Sequence, residues 1–253
     1  MKIGICKLCR QEKELLKSSH IIPNFMYNHI YDKNHKLIFT DPQAFAKGTA
    51  IVKRPSSGAW ESNILCRDCD GRIIQNYENY GKQVLFSKEN VPKINLSCKN
   101  YVSIDGQEYD IYYDLDYKKF KLFLLTILWR ASISSLPYFN EINLGFHDEI
   151  IRKMILNDDP KRDENYPIFM FSWLNDAKAK TNFISQPSIG HLNESKWYVF
   201  PINGIVYNFY LNVADLNKDL RDFILSESGE MTLFYFEKGI YKNWLKTYHK
   251  VSL

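Results

Sequence analysis

The chain has 253 residues, 45% of them hydrophobic and 25% charged, with only 11 Gly and 9 Pro. That composition excludes a disordered or collagen-like polymer and leaves apolar material for one or two domains with real cores. The net charge of +4 is unevenly placed, with 12 Lys+Arg against 7 Asp+Glu in residues 1–72 and 21 against 22 in the rest. A polyanion is therefore drawn to the first part of the chain. The N-terminus has no signal-peptide-like run and the richest apolar stretch, Phe120 to Trp129, is too short to cross a bilayer, so the expectation is a cytoplasmic protein with no membrane partner.

Taken in chain order, residues 5–10 read as a metal knuckle and Leu15 to Ile22 as a short strand ending at Pro23, which cannot donate to a ladder. A helical turn is expected over 24–31, strands over 37–40 and 49–53, and a loop at 54–58, followed by a second knuckle, CRDC, at 66–69. From Asp70 onward Ile73, Ile74, Tyr77, Tyr80 and Val84 recur at spacings of three and four, which predicts a helix. Residues 87–101 read as a connector and Tyr101 to Tyr113 as one or two strands around the turn IDGQ. Helices follow at Lys118 to Ser134 and His147 to Leu156. Strands then take over at Ile168 to Trp173, Trp197 to Pro201, Ile205 to Leu211 and Met231 to Phe236, with Asn203-Gly204 as a hairpin turn. The fold class is α+β, with residues 1–95 as one domain and a helical, antiparallel-stranded domain over 96–253.

Four of the five cysteines form two C-x-x-C pairs, Cys6 with Cys9 and Cys66 with Cys69. In a reducing compartment such pairs are metal ligands more often than disulfides, and two of them complete the tetrahedral shell of one structural Zn²⁺. The 56 residues between Cys9 and Cys66 exceed the ~15–20 of a simple zinc ribbon, so the interval carries structure of its own. Cys98 reads as a small core residue, and His29, His35, His147, His191 and His249 have no ligand spacing.

The run CKLC, SHIIP and NILCRDC between Cys6 and Cys69 resembles the zinc-containing branch of the HNH nucleases over about residues 5–80. The resemblance implies a ββα-metal fold in which a strand-end histidine, an asparagine before the second knuckle and a ligand opening the following helix act together. The residues at those positions are His20, Asn63 and Asp70. His20 would be the general base, which suits an imidazole with an ordinary pKa of ~6.5. Asp70 would ligate a catalytic Mg²⁺ or Mn²⁺, with Glu78, eight residues on, as a second ligand. Asn63 would fix the loop that orients His20. The chain departs from the family where Ser19 stands in place of an aspartate before the histidine. Each residue also has a plainer reading: His20 as a core histidine, Asp70 as a helix cap, and Lys53, Arg54 and Arg72 as surface cations instead of phosphate contacts.

These expectations add up to a metal-dependent endonuclease hydrolysing phosphodiester bonds in DNA, with RNA as the other polyanion to test. By analogy it would be an antiviral-defence or mobile-element effector with a partner protein of such a system. The alternative is a catalytically degenerate, zinc-stapled nucleic-acid-binding or scaffold subunit.

Overall fold

The computed structural model describes residues 2–28, 30–31, 34, 58–86, 94–176 and 184–239. The expected strands at 37–40 and 49–53, the loop at 54–57, and with them Lys53 and Arg54, lie outside the described residues.

Strands β1 (Lys2–Ile5) and β2 (Glu12–Leu15) form an antiparallel ribbon that flanks the first knuckle, from Lys2↔Leu15 to Ile5↔Glu12. The single strand expected over 15–22 is split. Leu16 donates to the Leu65 carbonyl and accepts from Asn63, each at 2.9 Å, so the chain leaves one ladder at Lys17 and enters another. That second ladder pairs β3 (Ser19–His20) with β4 (Trp60–Glu61). A 3-10 turn, Asn24–Tyr27, follows Pro23 as expected.

Helical backbone begins at Arg67 and at once widens into a π turn, Cys69–Ile74, before α1 (Gln75–Leu85). In that turn the Gln75 N–H reaches the Asp70 carbonyl, five residues back. Ile74 and Tyr77 are buried, as the periodicity requires.

The rest of the chain builds a seven-stranded sheet in the order β5-β6-β11-β7-β10-β9-β8. Its strands are β5 (Ser97–Val102), β6 (Glu108–Tyr113), β7 (Ile168–Ser172), β8 (Ser188–Leu192), β9 (Ser195–Ile202), β10 (Ile205–Tyr210) and β11 (Met231–Tyr235). Two helices accompany it, α2 (Tyr117–Ile133), whose N-cap Asp116 accepts from Lys119 N–H at 3.0 Å, and α3 (His147–Leu156). The Asn203-Gly204 turn has φ of 51° and 81°, the left-handed pair a tight hairpin needs.

Three expectations are corrected. The sheet is not wholly antiparallel, because β11 runs parallel to β7. A parallel neighbour requires a crossover, and the 3-10 turns Val213–Asp215 and Lys218–Phe223 lie on it. Strand β5 begins inside the expected connector, and Cys98 on it is exposed at the sheet edge, not in the core. Strand β8, at the other edge, had no counterpart in the expected elements.

One apolar cluster runs from Cys6, Leu8, Ile21, Ile22 and Tyr77 through Phe123 of α2 to Met170 and Leu233 of the sheet, so the core is continuous across residue 95. The opposite sheet face carries two smaller clusters, one around Phe169 and Phe234 and one around Trp173 and Val206. Helix α2 is buried almost all round, and Gly81 of α1 lets it approach closely: a Cβ there would lie 2.5 Å from the Phe123 ring. Among the described residues no helix is long and apolar enough to cross a membrane.

Candidate metal centre and the site around His20

The first knuckle is a tight turn in which Arg10 N–H closes onto the Cys6 carbonyl at 2.9 Å, with Arg10 left-handed at φ 61°. The second is carried to it by the chain at 63–66. Lys7 N–H donates to the Ile64 carbonyl at 2.9 Å, Leu15 bridges to Cys66, and the Cys66 N–H points at Cys6 Sγ at 3.4 Å. All four sulfurs of Cys6, Cys9, Cys66 and Cys69 lie within 4.8 Å of one another, and none is in a disulfide. Thiolates at ~2.3 Å from a tetrahedral zinc are ~3.8 Å apart, so the four cysteines fit the ion with a small contraction.

Without a cation the sulfurs must share protons. The hydrogen bond from the Cys69 thiol lowers the Cys6 pKa to about 4, and the same bond, followed by burial and the charge on Cys6, raises that of Cys69. A divalent ion relieves that conflict by replacing the protons. The centre is tied to the helices as well. Arg152 of α3, held by Glu149 at 2.7 Å, donates to the Leu8 carbonyl, and Lys7 Nζ donates to the Ile133 carbonyl at 2.6 Å. Glu61 accepts from Ser134 Oγ at 2.7 Å and Ser135 N–H at 3.0 Å, closing the C-terminus of α2.

His20 stands at the end of β3. Its pKa is lowered, first by burial and then by the charge of Arg130, with Glu78 opposing, so the ring is neutral at pH 7. Its Nε2 is buried and has no hydrogen-bond partner among the described residues. Asp70 is not a helix cap: the helix begins before it, and its own N–H already donates to the Cys66 carbonyl at 3.1 Å. Its carboxyl is pushed up to about 6, chiefly by burial, with Arg130 and the Ser19 hydroxyl pulling it down and Glu78 and Cys6 adding to the rise. Ser19 Oγ is buried without a hydrogen bond of ordinary geometry and lies against that carboxyl.

Glu78 is turned inward and ion-paired. Its Oε1 accepts from Arg130 at 2.7 Å, and the same guanidinium donates to the His20 carbonyl at 2.7 Å and the Thr126 carbonyl at 3.2 Å. Asn63 acts through its main chain, with φ 61° and its N–H on the Leu16 carbonyl, while its side chain donates to Ser62 Oγ at 3.1 Å. Arg72 is exposed on the wall of an open groove of about 480 Å³ that Gln75, Asn76 and Asn79 also line.

His20, Asp70 and Glu78 thus surround Arg130, but they do not form one ligand set. Among the described residues the four cysteines are the only group of three or more His, Cys, Asp or Glu placed to hold a metal. Arg130 is the residue that spacing did not reveal. The signal available was a lone arginine inside the apolar run FLLTILWRAS, which a purely packing helix would not carry. The chain matches no protein-family model, no curated protein and no solved structure.

Proposed function

We propose that the chain is an HNH-like endonuclease acting on DNA, with the zinc as a structural staple and His20 as the general base. The observation that carries this reading is the buried His20 Nε2, which has no hydrogen-bond partner among the described residues, on a ring that burial and then the charge of Arg130 hold below the ordinary imidazole pKa. A base must be unprotonated at working pH and must have a lone pair to offer, and His20 has both. The resemblance implies Mg²⁺ or Mn²⁺ beside Asp70; taking a proton from water is His20's own share and does not depend on where that ion sits. Arg72, with the cations at Lys53 and Arg54, would meet phosphates, and cleavage in defence against foreign DNA would be the biological setting.

The binding-subunit reading is favoured by a different observation, the Arg130–Glu78 pair, which occupies the carboxylate expected as a substitute metal ligand where Ser19 replaces the family's aspartate. One assay separates the two. Zinc-loaded protein is incubated with duplex and single-stranded DNA and with RNA across Mg²⁺ and Mn²⁺, beside His20→Ala. Cleavage lost in the variant, with zinc content retained, supports the nuclease. Binding by wild type, with no cleavage of any substrate, supports the subunit.

A further inference from the structure

We propose that Arg130, from the second half of the chain, is the positioning residue of the site around His20: it fixes the His20 main chain and one oxygen of Glu78, and leaves the other Glu78 oxygen without a hydrogen bond. The proposal rests on the reading of His20 as the functional centre.

Arg130 is 1% exposed, the one buried arginine of α2, a helix whose other buried polar side chains are Lys121 and Thr126. Burying a guanidinium carries a large desolvation cost, and an apolar residue of similar size is often as good or better for stability. The three donors used here go to three different elements: the Thr126 carbonyl within α2, the His20 carbonyl on β3 and Glu78 Oε1 on α1. A planar, forked cation makes that arrangement, and a lysine ammonium does not. Glu78 Oε2, by contrast, has no hydrogen-bond partner among the described residues, on a side chain that is 14% exposed. A carboxylate anchored through one oxygen presents the other in a fixed direction, the way outer groups orient a ligand. The strand and the helix of the site are thereby registered to each other by a residue 110 positions after His20.

The test uses the full-length, zinc-loaded protein and compares Arg130→Lys, Arg130→Met and Glu78→Gln with Leu128→Ala, a neighbouring core change that lowers stability alone. Measured are zinc content, Tm, the ¹H–¹⁵N resonances of the His20 ring, and kcat and KM on a short DNA duplex below the lowest Tm. Both Arg130 variants are expected to shift the His20 ring resonances and lower kcat at least tenfold with KM within twofold, whereas Leu128→Ala lowers Tm and moves neither. His20 resonances of Arg130→Met superimposable on wild type overturn the proposal, as does wild-type kcat. If wild type cleaves nothing, the nuclease reading falls while the ring resonances still decide the role of Arg130. If both Arg130 variants fail to fold, Glu78→Gln decides, and an unchanged His20 ring in it overturns the proposal.

Discussion

The region before residue 87 and the sheet that follows it are held together by different means. In the first, β1 and β2 leave Ile3 and Ile5 at 70% and 56% exposure, and Leu15 is the one well-buried side chain on the ribbon. The β3–β4 ladder has two residue pairs. Such short, half-open pairings do not by themselves offset the chain entropy that ordering them costs, so the rest must come from the buried side chains around Leu8, Ile21 and Leu65 and from ligation by the four sulfurs. In the second, β9 and β10 are buried along most of their length and pack on both faces, and stability follows from area removed from water. Ligation gives a site where placement of a few atoms matters, and burial gives the rigid support on which Arg130 can be held. The difference teaches that the end of the molecule that carries the cysteines borrows its order.

The largest break in that comparison should come from the metal. Cys66→Ser, or chelation, is expected to lower Tm by more than ~10 °C and to expose amides of β1 to β3 to hydrogen exchange while those of β9 and β10 stay protected. Equal loss of protection in both regions would show that the staple supports the whole core.

A second test addresses burial on the other side of the comparison. Lys121 is fully buried, donating to Tyr117 Oη at 2.8 Å and to the carbonyls of Arg162 and Asn165 at 2.7 Å. Burial pulls its pKa down to about 7, with Asp163, Glu227 and Asp159 opposing. Between pH 7 and the unfolded lysine value the unfolded chain binds the proton and the folded one does not. Stability should therefore rise with pH in that window, by up to about 3 kcal/mol. Urea midpoints at pH 7 and 9.5 read the slope, and Lys121→Met should flatten it; a slope that survives the substitution assigns it to another group.

The joint between the regions is tested by Gly81→Ala. Alanine would gain ~1 kcal/mol in helix propensity, but its Cβ meets the Phe123 ring at 2.5 Å. Overpacking of that kind costs ~1–3 kcal/mol, so a net loss of ~1 kcal/mol in denaturant unfolding is expected. A gain in stability would mean that α1 and α2 slide apart without cost. The smallest effect belongs to Lys13→Ala, which removes the exposed 2.8 Å pair with Asp68 beside the second knuckle and should leave Tm and zinc content unchanged. A measurable loss of zinc would put that pair among the supports of the knuckle.

What the sequence made legible follows from how local each signal is. The C-x-x-C pairs speak for themselves because zinc demands two sulfurs from one turn, and the four were brought together across 56 residues. Helix α3 matches its expected bounds, His147 to Leu156, and the Asn203-Gly204 hairpin its expected turn, since apolar period and left-handed φ are properties of neighbouring residues. The misses are non-local. Strand β5 reads as a connector because SCKNYV at an edge has few apolar residues to alternate. The β7–β11 pairing is set by a crossover, and Cys98 is exposed on β5, which is an edge strand among the described residues. At the site, His20 and Asp70 were named from motif spacing, but nothing near them in sequence announces the arginine between them. The π turn that carries Asp70 leaves no mark in the apolar period that follows it.

Synthesis proceeds from the N-terminus, and the tethers of the His20 site are made at different times. The last sulfur ligand is residue 69 and the guanidinium that registers β3 to α1 is residue 130. At ~5–20 residues per second the ribosome needs roughly 3–12 s to cover that interval. A nascent chain can therefore bring its four cysteines together around a metal ion while His20 still lacks its buried anchor. The order of residues along the chain delays assembly of the site until most of α2 exists, so an incomplete or truncated product would hold metal without holding His20 in place.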